Sequence, residues 1–147
     1  MRSVTLLMAA ATKSVSAPPE QVREFLRDYR DGRPRILTPE YRDYRVEEGG
    51  LGEGTVVAFT FSSPGRSRKF RQRVEEAPEG LYERDLNSSF VSNWTIDPTA
   101  TGSSVTLEAS WEGSQGIGGF FERLFAPMSL RRTYAQLLDN LASALEG

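Results

Sequence analysis

The 147-residue chain has no cysteine and no histidine. Disulfides, thiolate nucleophiles and the usual Cys/His zinc sites are therefore excluded, as is a Ser-His-Asp triad. The missing imidazole also removes the side chain best suited to proton transfer near neutral pH. That weighs against catalysis without excluding it. A basic surplus is lacking too: 18 Lys and Arg stand against 20 Asp and Glu, a net charge of -2. Nucleic-acid affinity rests on cations that release counterions from phosphates, so no nucleic-acid partner is expected. No apolar run approaches the roughly 20 residues that span a bilayer. The apolar stretch over 4–11, behind Arg2, is short and leads to no clear cleavage boundary. It reads as a first β-strand, or as sequence preceding a start at Met8, and a cytoplasmic protein is expected.

What remains suits a single globular domain over 1–147. Hydrophobic residues make up 38% and charged residues 26%. At this length about 70% of the unfolded surface can be buried, enough for a core without metal or disulfide staples.

The hydrophobic period changes twice along the chain. After a first strand, Ala17-Pro18-Pro19-Glu20 opens a helix, because proline suits a first helical turn and an acidic residue suits its positive end. Val22, Phe25, Leu26 and Tyr29 at i, i+3, i+4 and i+7 predict about three amphipathic turns, ended by Gly32 and Pro34, with a second short helical turn over 35–37. From Tyr41 the period becomes two. Tyr44 and Val46, then Val57, Phe59 and Phe61, then Phe70, Gln72 and Val74 mark successive strands, followed by strands over 81–87, 90–97 and 105–111. Beyond Gly119 the spacing Phe120, Phe121, Leu124, Phe125, Met128, Tyr134, Leu137, Leu138, Leu141 and Leu145 predicts a long C-terminal helix, bent at Pro127.

A six- or seven-stranded antiparallel sheet with one apolar face needs a cover, and only the terminal helix is long enough to supply it. The fold class is thus α+β: a curved antiparallel sheet wrapped on a long C-terminal helix, with two short helices after the first strand. At this point three runs bear a resemblance. Ser16-Ala17-Pro18-Pro19-Glu20-Gln21-Val22 lies at the first strand-to-helix turn. Val46-Glu47-Glu48-Gly49-Gly50-Leu51-Gly52-Glu53-Gly54-Thr55 forms a strand-turn-strand. Phe121-Glu122-Arg123-Leu124-Phe125-Ala126-Pro127, with Leu130-Arg131-Arg132, forms a kinked helix. In this order they resemble the START-like, helix-grip superfamily, and within it the polyketide cyclase/dehydrase (SRPBCC) group, over nearly the whole chain from about Ala10. The resemblance implies a deep apolar pocket for lipids, polyketides or similar molecules. It does not imply catalysis.

Two glycine runs fail as phosphate sites. Gly49 to Gly54 precedes a strand and not a helix, which makes it a hairpin turn. Gly116-Ile117-Gly118-Gly119 lacks the last glycine of the dinucleotide fingerprint and a returning parallel strand. With Gly113 it reads as a joint able to release the start of the terminal helix, a possible gate for ligand entry. The basic run Arg66, Arg68, Lys69, Arg71 and Arg73 reads as a solvated strand face. Glu83 and Asp85 share a face, as do Glu108 and Ser110, and exposed positions are the expectation for both pairs. Gln72 is different: alternation puts it inside, between Phe70 and Val74, where an amide needs a partner. Arg84, in phase with Tyr82 and Leu86, is a second inward polar candidate. Tyr29 and Tyr134 complete a set able to hold carbonyls. Phe59, Phe61, Trp94, Trp111, Phe121 and Phe125 supply aromatic lining or plain core.

Three functions compete. The first is binding of an apolar small molecule between sheet and helix by a monomer or homodimer, without metal or cofactor. The second is a polyketide aromatase/cyclase or dehydratase using the same pocket. The third is an interaction module with a filled core. A cavity of several hundred Å3 speaks against the third, convergent buried ionisable groups favour the second, and a wholly apolar pocket favours the first.

Overall fold

In the computed structural model, residues 6–112 and 127–146 are described. Phe121, Phe125 and the glycine joint therefore lie outside the described residues. Seven strands form one antiparallel sheet in the order β1-β7-β6-β5-β4-β3-β2. They are β1 (Leu6–Val15), β2 (Tyr41–Glu48), β3 (Val56–Ser63), β4 (Arg66–Ala77), β5 (Gly80–Asp85), β6 (Val91–Thr99) and β7 (Gly102–Glu112). Strands β2 to β7 follow one another as neighbours, whereas β1 closes the far side against β7 in register from Leu6↔Glu112 to Val15↔Ser103. The early apolar segment is thus a strand from Leu6 onward, as its short length suggested.

Helix α1 (Pro19–Leu26) starts with proline in its first turn and buries Val22 and Leu26. It is shorter than its apolar spacing predicts. One carboxylate oxygen of Asp28 accepts the backbone N–H groups of Arg30 and Asp31, a local alternative to the helical ladder that turns the chain away. Tyr29 is buried nonetheless, because its N–H donates to the Gly50 carbonyl at 2.9 Å and Gly52 N–H returns a bond to the Arg27 carbonyl. The glycine hairpin therefore also docks the end of α1. Gly50 takes φ 145°, a backbone conformation that residues with a Cβ rarely adopt, and any side chain there would also have to displace that of Arg30. The second helical element is a 3-10 turn over Arg33–Arg35, two residues earlier than the spacing predicts.

Helix α2 is described from Pro127 to Glu146, so the expected bend at Pro127 falls at the margin of the described residues. Leu130, Tyr134, Leu137, Leu138 and Leu141 form its buried stripe, each buried leucine contributing about 2 kcal/mol. Polar ties fix its position: Lys13 Nζ lies 3.1 Å from Asp139, and Asn140 Nδ2 donates to the Ile36 carbonyl at 3.0 Å. The second tie carries the 3-10 turn onto the helix and brings Arg33 over the sheet.

Candidate ligand-binding site

Strand alternation aims one face of β3, β4, β5 and β6 at α2. Phe59 and Phe61, Phe70 and Gln72, Glu83, Ser92 and Trp94 line the resulting space, with Tyr29, Arg33 and Tyr134 closing it from the helical side. The enclosed cavity is about 40 Å3. A drug-sized ligand needs roughly 300 Å3 or more, so it enters only if lining side chains move apart.

The wall is an aromatic ladder. Tyr41 packs edge-on to Phe61 (5.2 Å between centroids) and tilted against Phe59 (5.1 Å), Phe59 stacks on Phe70 (5.5 Å), Phe70 meets Phe90 (5.1 Å), and Phe90 stacks on Trp111 (5.9 Å). These spacings are those of favourable offset and edge contacts. Trp111 belongs to this ladder, fully buried, but lies behind the cavity and not in its lining.

The floor is ionic. Glu83 sits on β5 with both carboxylate oxygens engaged. Tyr29 Oη and Arg33 Nη1 each donate to Oε2 at 2.6 Å, while Ser92 Oγ (2.8 Å) and Trp94 Nε1 (3.2 Å) donate to Oε1. Arg33 Nη2 donates to the Leu26 carbonyl at 2.9 Å, and the guanidinium lies between the rings of Tyr29 (4.4 Å) and Trp94 (4.9 Å). Burial pushes the Glu83 carboxyl upward, but the charge of Arg33 and the bonds from Tyr29, Arg33 and Ser92 outweigh it and hold the group below the usual carboxylate range. Burial likewise works against the charge of Arg33, and Glu83 more than offsets it, so the guanidinium stays ionised. The Tyr29 hydroxyl is pushed far above the ordinary phenol, by burial first and the Glu83 charge second. The pair is ionic and the tyrosine neutral.

Several sequence expectations change here. Arg84 does not point inward: it is exposed on the outer face and pairs with Glu75 at 2.7 Å. The inward phase of β5 is Leu81, Glu83 and Asp85, all buried, and this also overturns the expectation that the two carboxylates are solvated. They do not act as a pair. Asp85 accepts Arg71 N–H and the Ser88 hydroxyl in the turn after β5, away from the cavity lining. Sequence reasoning missed Arg33 and Ser92, and it weighed Glu83 only as an exposed neighbour of Asp85. An acid in the middle of a strand carries no sign of its phase, and the basic partner lies 50 positions upstream in a segment read only as a helix breaker. By contrast Gln72 lies inside, as its alternation predicts, and Arg71 and Arg73 lie outside. The Gln72 amide and the Tyr41 and Tyr134 side chains also line the cavity.

The chain that builds this grip matches one family model across residues 8–146, that of polyketide cyclase / dehydrase and lipid transport. The chain belongs to this family. Among solved structures it is 42% identical to the KanY protein, a solution structure, over 97% of this chain and 99% of that one, with a TM-score of 0.88. Major latex-like protein 151 from Panax ginseng shares the fold at 13% identity (TM-score 0.72, 95% and 97% of the two chains). So does norcoclaurine synthase from Thalictrum flavum in complex with dopamine and hydroxybenzaldehyde, at 12% identity (TM-score 0.69, 97% and 88%). No curated protein matches. The fold is thus one that binds hydrophobic ligands, and no described helix is long and apolar enough to cross a membrane.

Proposed function

We propose that this chain, as a single domain, binds a largely apolar, lipid- or polyketide-like small molecule between sheet and α2, and that Gln72 meets a polar oxygen or N–H on it. The observation that carries this reading is Gln72, a polar side chain on the inner face of β4 that lines the cavity together with Phe59, Phe70 and Phe90. A ligand bearing one complementary group gains a hydrogen bond there, about 1 kcal/mol. Tyr134 and Tyr41 offer hydroxyls into the same space. Phe59, Phe61, Trp94 and Tyr29 supply apolar contact, and Phe121 and Phe125 are proposed to add to it.

Arg33, Glu83 and Tyr29 converge as buried ionisable groups, and this favours the cyclase or dehydratase reading as the second candidate. Their mutual engagement sets its terms. Glu83 is already ionised and accepts four hydrogen bonds, so it is a poor general acid, and a proton would have to pass through Tyr29 Oη.

Titration with 1-anilinonaphthalene-8-sulfonate, an apolar fluorescent probe, tests the binding reading. One saturable site is expected, weakened about fivefold by Gln72→Ala, the effect of losing one hydrogen bond, and unchanged by Arg71→Ala. No saturable site, or equal effects of both substitutions, would favour the filled-core module.

A further inference from the structure

Beside the cavity lies a wider space. Tyr29, Leu37 and Tyr44 line the cavity on one side and, on the other, an open cleft between the 3-10 turn and β2. The cleft is open to solvent and holds about 360 Å3, against about 40 Å3 enclosed inside. No strand separates the two. The partition is the Leu37 side chain and the Tyr44 ring, whose hydroxyl donates to the Tyr29 carbonyl at 2.6 Å. Both residues are half-buried, and side-chain rotation is fast compared with any backbone opening.

The cleft is apolar along Pro34 and Val46 and cationic at Arg30 and Arg45. Arg30 Nη2 is held by the Gly49 carbonyl at 2.7 Å and forms no ion pair among the described residues. Arg45 Nη1 is held by the Asp43 carbonyl at 3.1 Å. Arg45 Nη2 pairs with Glu47 Oε2 at 3.5 Å, and it shares that carboxylate with Arg71, whose Nε takes the other oxygen. Two guanidinium groups, both steadied by neutral carbonyls and sharing between them only the Glu47 carboxylate that Arg71 also uses, thus stand over an apolar surface that leads to the cavity. Guanidinium donors match the oxygens of a carboxylate.

Resting on the binding reading above, the geometry points to a head-group subsite: the cleft takes the carboxylate of an anionic amphiphile on Arg30 and Arg45, and its apolar body passes Tyr44 and Leu37 into the cavity. The ligand class is then an amphiphile with one anionic head, not a neutral lipid.

Decanoate and decan-1-ol, which share a chain and differ in the head, test this by tryptophan fluorescence or calorimetry. The wild-type chain is expected to bind decanoate at least about tenfold tighter than decanol. Arg30→Gln/Arg45→Gln should bring the two within about twofold of each other. Raising salt on the unmodified protein, which needs no variant, should weaken decanoate alone. Equal affinity for the two probes, or a preference for decanoate that survives both substitutions, would overturn the subsite while leaving hydrophobic binding intact. Binding of neither probe would overturn both.

Discussion

Arg33 Nη1 and Glu83 Oε2 meet at 2.6 Å with 7% and 5% of their side chains exposed, joining the 3-10 turn to the middle of β5. Such a pair gains little over an apolar substitute, because two charges have been taken out of water, but each partner alone is costly to strand there. Arg33→Met and Glu83→Gln are each expected to destabilise the fold by about 3–5 kcal/mol. The double variant should cost less than their sum by about 2 kcal/mol, as coupled neighbours do. Urea unfolding of the four proteins measures this. Additivity would show that the pair is not the fastener of the turn.

The depressed Glu83 carboxyl predicts an acid limb. A carboxyl whose folded pKa lies below its unfolded value of about 4.5 contributes stability that is complete above that value and is lost as pH falls through the folded pKa. Glu76, held low by Arg27, adds to the same limb from a more exposed position. Unfolding free energies of wild type and Glu83→Gln should therefore converge as pH falls from 6 to 3. A difference that stays constant over this range would mean that the Glu83 carboxyl has the same pKa in the folded and the unfolded chain.

Alkaline behaviour follows from the five tyrosines. Tyr29, Tyr41, Tyr44 and Tyr134 are all raised, burial being the largest cause in each, whereas Tyr82 is raised chiefly by its bond to Glu79. A raised pKa gives stability that is full below the unfolded value near 10 and declines as pH climbs toward the folded one. Absorbance at 295 nm should show Tyr82 ionising first, and the other four only together with loss of near-ultraviolet circular dichroism. A reversible titration of four or five tyrosines near pH 10 in the folded protein would contradict the buried site.

How much of this could be read from the chain alone differs from residue to residue. The sheet, its run of successive antiparallel strands and the covering helix were legible, because period two and period 3.6 are averages over many side chains and survive a misplaced one, whereas the pairing of β1 with β7 left no local mark. Gln72 could be placed because Phe70 and Val74 fix its phase. Arg84 was misplaced because β5 is short and its two phases, Leu81-Glu83-Asp85 and Tyr82-Arg84-Leu86, are about equally polar. The decisive partner of Glu83 is Arg33, and nothing local to either residue predicts the other. Helix α1 ends early through an Asp28 side-chain contact that apolar spacing does not register. Ion pairs between distant segments are tertiary facts, and sequence pattern reports chiefly local ones.

Gly80 ties the scaffold to the site. It follows the turn after β4, pairs with Thr95 across β5 and β6, and stands where a Cβ would lie 1.6 Å from the Trp94 carbonyl oxygen and 2.7 Å from its carbon. Both are backbone atoms, so no rotamer change can make room and β6 itself must shift. Gly80→Ala is therefore expected to cost about 3 kcal/mol, at the upper end for overpacking. Trp94 turns its indole N–H to Glu83 and its ring to Arg33, so displacement of its backbone should also disturb the floor of the cavity. Trp94 emission should shift in the folded variant, and Trp94→Phe in the same background should remove that shift. A variant with unchanged unfolding midpoint and emission would show that β5 and β6 can part locally, and that Gly80 is only a turn residue.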